Sequence, residues 1–271
     1  MQFGGALAAT LVPEIGAAGS VFLRILFSAL ILVGLVRPGL RGHDRRAWTT
    51  VVAFGVALGL MNWSFYGSLA HLPLGVAVTV EFLGPLILTT VLSRRPLDFA
   101  AVVAAGAGVL LISEALTVPF AELSLIGLAL AATAGALWAS YIILSGRTGA
   151  AFEQLDGLAI ALVVSTGVIL VPGLGADDLW TTEHIWKGLG LAILSSLLPY
   201  SLELLALRRL SARVFGVLLS LEPAVAALAG LLILGQRLSG LQVLGLAMVV
   251  LASTIVMGFQ RPAEPGVIQS T

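Results

Sequence analysis

The chain has no cysteine, which excludes disulfides, thiolate metal sites and thiol catalysis. Charge is nearly as scarce: Asp, Glu, Lys and Arg make up 10% of 271 residues, with 14 acidic and 14 basic side chains in balance. That is too little polar material to cover a soluble globule of this length. Catalytic signatures are missing too. There is no GxSxG elbow, no HExxH and no GxxxxGK[ST] phosphate loop, and the three histidines are scattered. Without a nucleotide-binding domain, an ATP-driven pump is disfavoured.

What is abundant is apolar. Hydrophobic residues make up 59% of the chain and the mean hydropathy is +1.07. Apolar runs of about 18–24 residues recur from end to end, the length a bilayer-spanning helix needs. The ten-residue alternation of a membrane barrel is absent. The fold class is therefore an all-α polytopic membrane protein. Helices are predicted at 1–12, 16–36, 48–70, 74–93, 97–116, 124–144, 154–173, 186–207, 212–235 and 239–259. The first, MQFGGALAATLV, is too short to cross about 30 Å of hydrocarbon at about 1.5 Å per residue. It reads as the second half of a helix, in a chain begun at a downstream start. A signal peptide fits less well, because no basic segment precedes it and only PEIG separates it from the next span. Residues 260–271 are predicted to form a disordered cytoplasmic tail.

The basic residues set an orientation. With the N-terminus facing the cytoplasm, the inner segments carry Arg37, Arg41, Arg45, Arg46, Arg94, Arg95, Arg147, Arg208, Arg209, Arg213 and Arg261. The outer side keeps Arg24, Lys187 and Arg237, a strong positive-inside bias.

The two halves resemble each other. GVAVTVEFLGPLILTTVLSRRPLDFAAVVAAGAGVLL parallels RVFGVLLSLEPAVAALAGLLILGQRLSGLQVLGLAMVVL, with Pro85 opposite Pro223. The predicted units are 1–116, with its first helix incomplete, and 124–259. Five spans per unit is an odd number, so the copies run in opposite senses across the membrane. That design recurs in secondary transporters.

Three glutamates lie inside apolar runs: Glu81, Glu203 and Glu222. A carboxylate at mid-bilayer costs about 2.5–3.5 kcal/mol on insertion scales, so three of them argue for a polar cavity. Each lies within a helical turn of a proline, Pro85, Pro199 or Pro223, which leaves a main-chain carbonyl without its helical donor. Acid and freed carbonyl together suggest a binding site. In the repeat register Glu81 and Glu222 fall on nearly one helix face, across a pseudo-twofold. Glu81 is either functional or the partner of a structural ion pair with Arg24. Glu203 either joins the site or pairs with Arg208 or Arg209. Asn62, Trp63 and Tyr66, with Trp138 and Tyr141, and Tyr200 beside Pro199, are candidate cavity-lining residues whose alternative is ordinary helix packing. Small residues four apart, Gly55 and Gly59 or Ala131 and Gly135, support close helix contact.

PLGVAVTVEFLGPL, SRRPLDF, GALWASYIILSG and LPYSLELLALRRLSARVFGVLLSLEPAVAALAG resemble the bacterial inner-membrane threonine and homoserine exporters, in the EamA branch of the drug/metabolite transporter superfamily. The resemblance runs from about Gly4 to Phe259. It implies ten helices in two inverted repeats, a central cavity, and efflux of small amino acids or related metabolites driven by inward proton flow, with no cofactor. The expected partners are a small-molecule substrate and the lipid bilayer, with no nucleic acid and no metal. Two alternatives stand beside this: an exporter of another metabolite or drug, and an intramembrane enzyme using a carboxylate pair.

Overall fold

The computed structural model describes residues 2–92, 96–113, 123–176, 179–219 and 239–258, with Pro119 and Leu221. Every regular element among them is helical: α1 (Gln2–Val36), α2 (Arg45–Ser68), α3 (Leu74–Leu92), α4 (Pro96–Ile112), α5 (Leu125–Ala151), α6 (Asp156–Leu174), α7 (Thr182–Ala192), α8 (Leu198–Leu207), α9 (Ala212–Leu219) and α10 (Gly240–Gly258). A π-helical turn over Ile193–Leu197 joins α7 to α8, so the eighth predicted span is continuous but locally widened. Much of the ninth predicted span, with Glu222 and Pro223, lies outside the described residues, as does the predicted tail.

Local chemistry sets the helix starts. Asp44 caps α2, its carboxylate accepting from the Ala47 nitrogen at 2.7 Å, so the helix begins three residues earlier than predicted. Ser239 and Gln242 form a reciprocal capping box at the head of α10: the Ser239 nitrogen donates to Gln242 Oε1 at 2.9 Å, and the Gln242 nitrogen donates to Ser239 Oγ at 3.2 Å. The loop expected over Pro13–Gly16 is instead helix up to Gly16, where φ of 72° and ψ of 173° divide α1 into two arms. Glycine tolerates that left-handed φ, and so a single residue makes the break.

Six described stretches are long and apolar enough to cross a bilayer: Leu11–Val36, Arg45–Ser68, Leu74–Leu92, Leu125–Ala151, Asp156–Leu174 and Thr182–Leu207. Large apolar side chains such as Leu125, Val91 and Val171 point outward, while Phe22, Phe54, Leu58, Ile142, Leu158 and Leu162 fill the centre. This arrangement suits a lipid surround, where packing and not water exclusion holds helices together.

Small residues decide which helices touch. Gly55 and Gly59 bring α2 against Ala161 and Ser165 of α6. A Cβ at Gly108 of α4 would lie 2.6 Å from the Gly245 carbonyl oxygen of α10, and one at Gly245 would lie 2.6 Å from the Gly108 oxygen. The contact is reciprocal. Elsewhere α1 packs on α6 and α7, α2 on α5, and α3 on α5.

Candidate functional site

Arg24 of α1 sits in the interior, 5% exposed, with its guanidinium on α2. One terminal nitrogen donates to Asn62 Oδ1, and the other reaches the Tyr66 hydroxyl at 3.4 Å with the cation 5.2 Å from the ring centroid. Asn62 is buried and used on every side. Its amide nitrogen donates to the Leu58 carbonyl at 2.8 Å and to the Tyr200 hydroxyl of α8 at 2.9 Å. One asparagine thus ties α1, α2 and α8 around a buried charge. Charge-assisted hydrogen bonds of about 1.5–3 kcal/mol and a cation–π contact of about 0.5–2 kcal/mol offset the cost of placing that charge in the membrane. Arg24 Nε remains buried with no hydrogen-bond partner among the described residues. A buried donor of this kind is uncommon in folded proteins.

Glu81 of α3 is partly exposed and within electrostatic reach of Arg24. The hydrogen-bond partners of Arg24 are Asn62 and Tyr66, and Glu81 adds an attraction through space. Pro85 lies within α3 without ending it and removes the donor for the Glu81 carbonyl. That oxygen is covered by α5, because a Cβ built at Gly135 would lie 2.6 Å from it. At Glu81 the freed carbonyl therefore faces the backbone of α5, which the glycine lets approach. Trp138, buried, stands edge-on to Phe82 with centroids 4.9 Å apart, a packing role on the same seam.

Glu203 is the second of the three candidate acids to lie among the described residues. Its Oε2 accepts from the Tyr141 hydroxyl of α5 at 2.7 Å. Arg208, a candidate partner from sequence, donates to the Phe152 carbonyl, which holds the end of α8 against the end of α5. Tyr141 is fully buried, with its ring 5.8 Å from that of Tyr200 and 5.3 Å from Phe54. Pro199 is the second residue of α8, directly after the π turn. Trp63, grouped with Asn62 by sequence, is 42% exposed and faces away, since adjacent residues on a helix point about 100° apart. Glu222 and Pro223 fall outside the described residues.

Sequence reasoning missed Ser28 and the π turn. The Ser28 hydroxyl lies 2.7 Å from the Arg24 carbonyl and 3.1 Å from the Ala192 carbonyl, linking the helix that carries the buried charge to the start of the turn. A hydroxyl one helical turn after Arg24 was the available signal. Among the described residues no trio of His, Asp and Glu side chains gathers as a metal site. The chemistry on offer is charge and hydrogen bonding among buried polar side chains.

Bilayer-length helices, outward apolar faces and a buried cation in a polar cluster drawn from three helices fit a multi-pass membrane permease. Comparison with known proteins agrees. The model of the EamA-like transporter family matches residues 125–258. Threonine/homoserine exporter RhtA of Salmonella typhimurium (strain SL1344) is 40% identical over 257 residues, covering 93% of this chain and 86% of the relative. RhtA of Escherichia coli (strain K12) is 40% identical over 254 residues with the same coverage. Protein PecM of Dickeya dadantii (strain 3937) is 31% identical over 220 residues, 77% of this chain and 73% of that protein. One solved crystal structure superimposes with a TM-score of 0.75 at 18% identity, over 93% of this chain and 90% of its own, a likeness of fold alone. The chain belongs to the EamA-like transporter family and is an efflux permease of the drug/metabolite transporter superfamily.

Proposed function

We propose that this permease exports small amino acids of the threonine and homoserine kind across the bacterial inner membrane, by proton antiport with alternating access. The observation that carries the reading is Arg24, a buried guanidinium with one unmatched donor beside a glutamate of opposite charge. An α-amino acid at neutral pH presents the complement of both. Its carboxylate meets Arg24, and its ammonium meets Glu81 with Glu222. Glu81 and Glu222 also exchange the coupling protons, because a carboxylate that gives up a bound ammonium in a low-dielectric site regains its affinity for a proton. The 40% identity to threonine/homoserine exporters supports the substrate class. Transport, and not carboxylate-pair catalysis, is the activity of this site.

In this reading the chain is two inverted repeats, 1–116 and 124–259, with the C-terminus in the cytoplasm and the basic turns inside. Support comes from packing. α1 lies on α6 and α4 on α10, each the counterpart of the other in the repeat, and the Gly108–Gly245 contact is reciprocal.

The test is efflux of labelled threonine and homoserine from cells lacking their own exporters, with Glu81→Gln and Glu222→Gln variants matched for membrane insertion. Export by the parent that collapses in both variants is the expected result. Parental rates in both variants refute the two glutamates as the site, and export of neither compound by the parent refutes the substrate class.

A further inference from the structure

Glu203 stands apart from the charge cluster yet is joined to it. Tyr200 and Glu203 are three residues apart on α8, so they share a face and differ by about 4.5 Å along the helix axis. Tyr200 holds the cluster end, with its hydroxyl bonded to Asn62. Glu203 lies toward the other end, partly exposed, before the turn carrying Arg208 and Arg209. Between them is Tyr141, fully buried, bonded to Glu203 at 2.7 Å and ring-to-ring with Tyr200 at 5.8 Å. The polar series Arg24, Asn62, Tyr200, Tyr141, Glu203 therefore runs from the interior to the basic end of the bundle through apolar surroundings that include Phe54, Ile142 and Leu204.

We propose that Glu203 is the inner proton-exchange group of this transporter, with Tyr141 as the hydroxyl that hands it the proton. The proposal rests on the antiport reading above and adds a separate exit for the proton. Tyr141 gives its hydroxyl proton to the Glu203 carboxylate while its oxygen takes up the coupling proton that the antiport cycle brings in as hydronium from the outer water, leaving a water molecule behind. Glu203, now a neutral acid, releases that proton to the inner water and returns to the carboxylate. One proton moves inward per cycle, and no residue ends changed. Among the described residues, the ionisable groups on the helices packed against α8 are Tyr141 and Arg147 on α5, Asp156 on α6 and Arg213 on α9. Of these Tyr141 touches the carboxylate, and Asp156 accepts from the Gly39 nitrogen at 3.0 Å. Glu203 exchanges the coupling proton itself, Tyr141 relays it, and neither is a substrate ligand.

Glutamine separates this role from a structural one, because its amide oxygen still accepts from Tyr141 but the side chain takes up no proton. Parent, Glu203→Gln, Glu203→Asp and Tyr141→Phe proteins are reconstituted in liposomes. Two rates are measured with labelled threonine: uphill movement driven by a pH gradient, and exchange of labelled for unlabelled threonine at equal pH. The expected result is that Glu203→Gln and Tyr141→Phe each lower the ratio of driven to exchange rate by about tenfold or more, with Glu203→Asp keeping most of it. An unchanged ratio and unchanged rates in Glu203→Gln make the pair a structural latch and overturn the proposal. Equal loss of both rates places Glu203 in the substrate site and overturns it too. Failure of the parent to move threonine in either mode refutes the substrate class instead, and the four proteins then repeat the comparison with homoserine.

Discussion

Gly84→Ala tests the seam beneath Glu81. A Cβ there would lie 1.9 Å from the carbonyl oxygen of Gly135, 2.4 Å from its carbonyl carbon and 2.9 Å from its Cα. All three are main-chain atoms, so no rotamer change relieves the clash. Close carbon–oxygen contacts across helices fall near about 3.3 Å, which requires α3 and α5 to part locally by about 1.4 Å. Overpacking of this sort costs about 1–3 kcal/mol. Alanine also gains about 0.8–1 kcal/mol of helix propensity over glycine, and a control removes that contribution. Gly167→Ala, on the exposed face of α6, introduces a Cβ with nothing within 4 Å and so carries the propensity gain alone. The two variants are compared by thermal unfolding in one detergent, followed by tryptophan fluorescence. Gly84→Ala is expected to be less stable than Gly167→Ala by the full steric penalty of about 1–3 kcal/mol. Equal midpoints, or a higher one for Gly84→Ala, would falsify the claim that α3 and α5 meet backbone to backbone.

Asn62→Leu removes the acceptor for a buried guanidinium and the partner of Tyr200, and should cost about 1–3 kcal/mol in the same unfolding assay. Asn62→Asp offers Arg24 a full negative charge and still accepts from Tyr200, so its unfolding midpoint should stay closer to the parent's while export is lost; retained export would argue against Arg24 as the carboxylate site. Ser239→Ala takes away the capping box of α10 and should lower stability by about 0.5–2 kcal/mol, with Ser239→Thr restoring most of it.

The sequence made some of this legible and left the rest to packing. Helical spacing put Asn62 and Tyr66 on one face, and their shared bond to Arg24 agrees with that. The same spacing drew in Trp63, because a list of neighbouring aromatic and polar residues ignores the angle that separates them. The Tyr141–Glu203 bond joins residues 62 apart on different helices, and no local pattern announces such a pair. Arg208, offered as a partner by nearness in sequence, donates to the Phe152 carbonyl. α5 runs seven residues past its predicted end, through Gly146 and Gly149, since tertiary contact overrides the low propensity of glycine: Gly149 packs under the Arg208 side chain. The acids, by contrast, were conspicuous from the start, because apolar surroundings make any carboxylate expensive. What their chemistry did not reveal was that the carbonyl freed at Glu81 would be sealed by a glycine from another helix.

Arg24 also has a history within each molecule, set by the order of synthesis. Its cation enters the membrane on α1 with a penalty of about 2.5–3.5 kcal/mol unless matched. Two of its partners, Asn62 and Tyr66, lie on α2, the next helix to leave the ribosome. Tyr200 comes 138 residues after Asn62 and closes the cluster only when α8 arrives. The order of the chain thus brings this guanidinium its α2 partners first, with Asn62 keeping one bond for a helix still to be made.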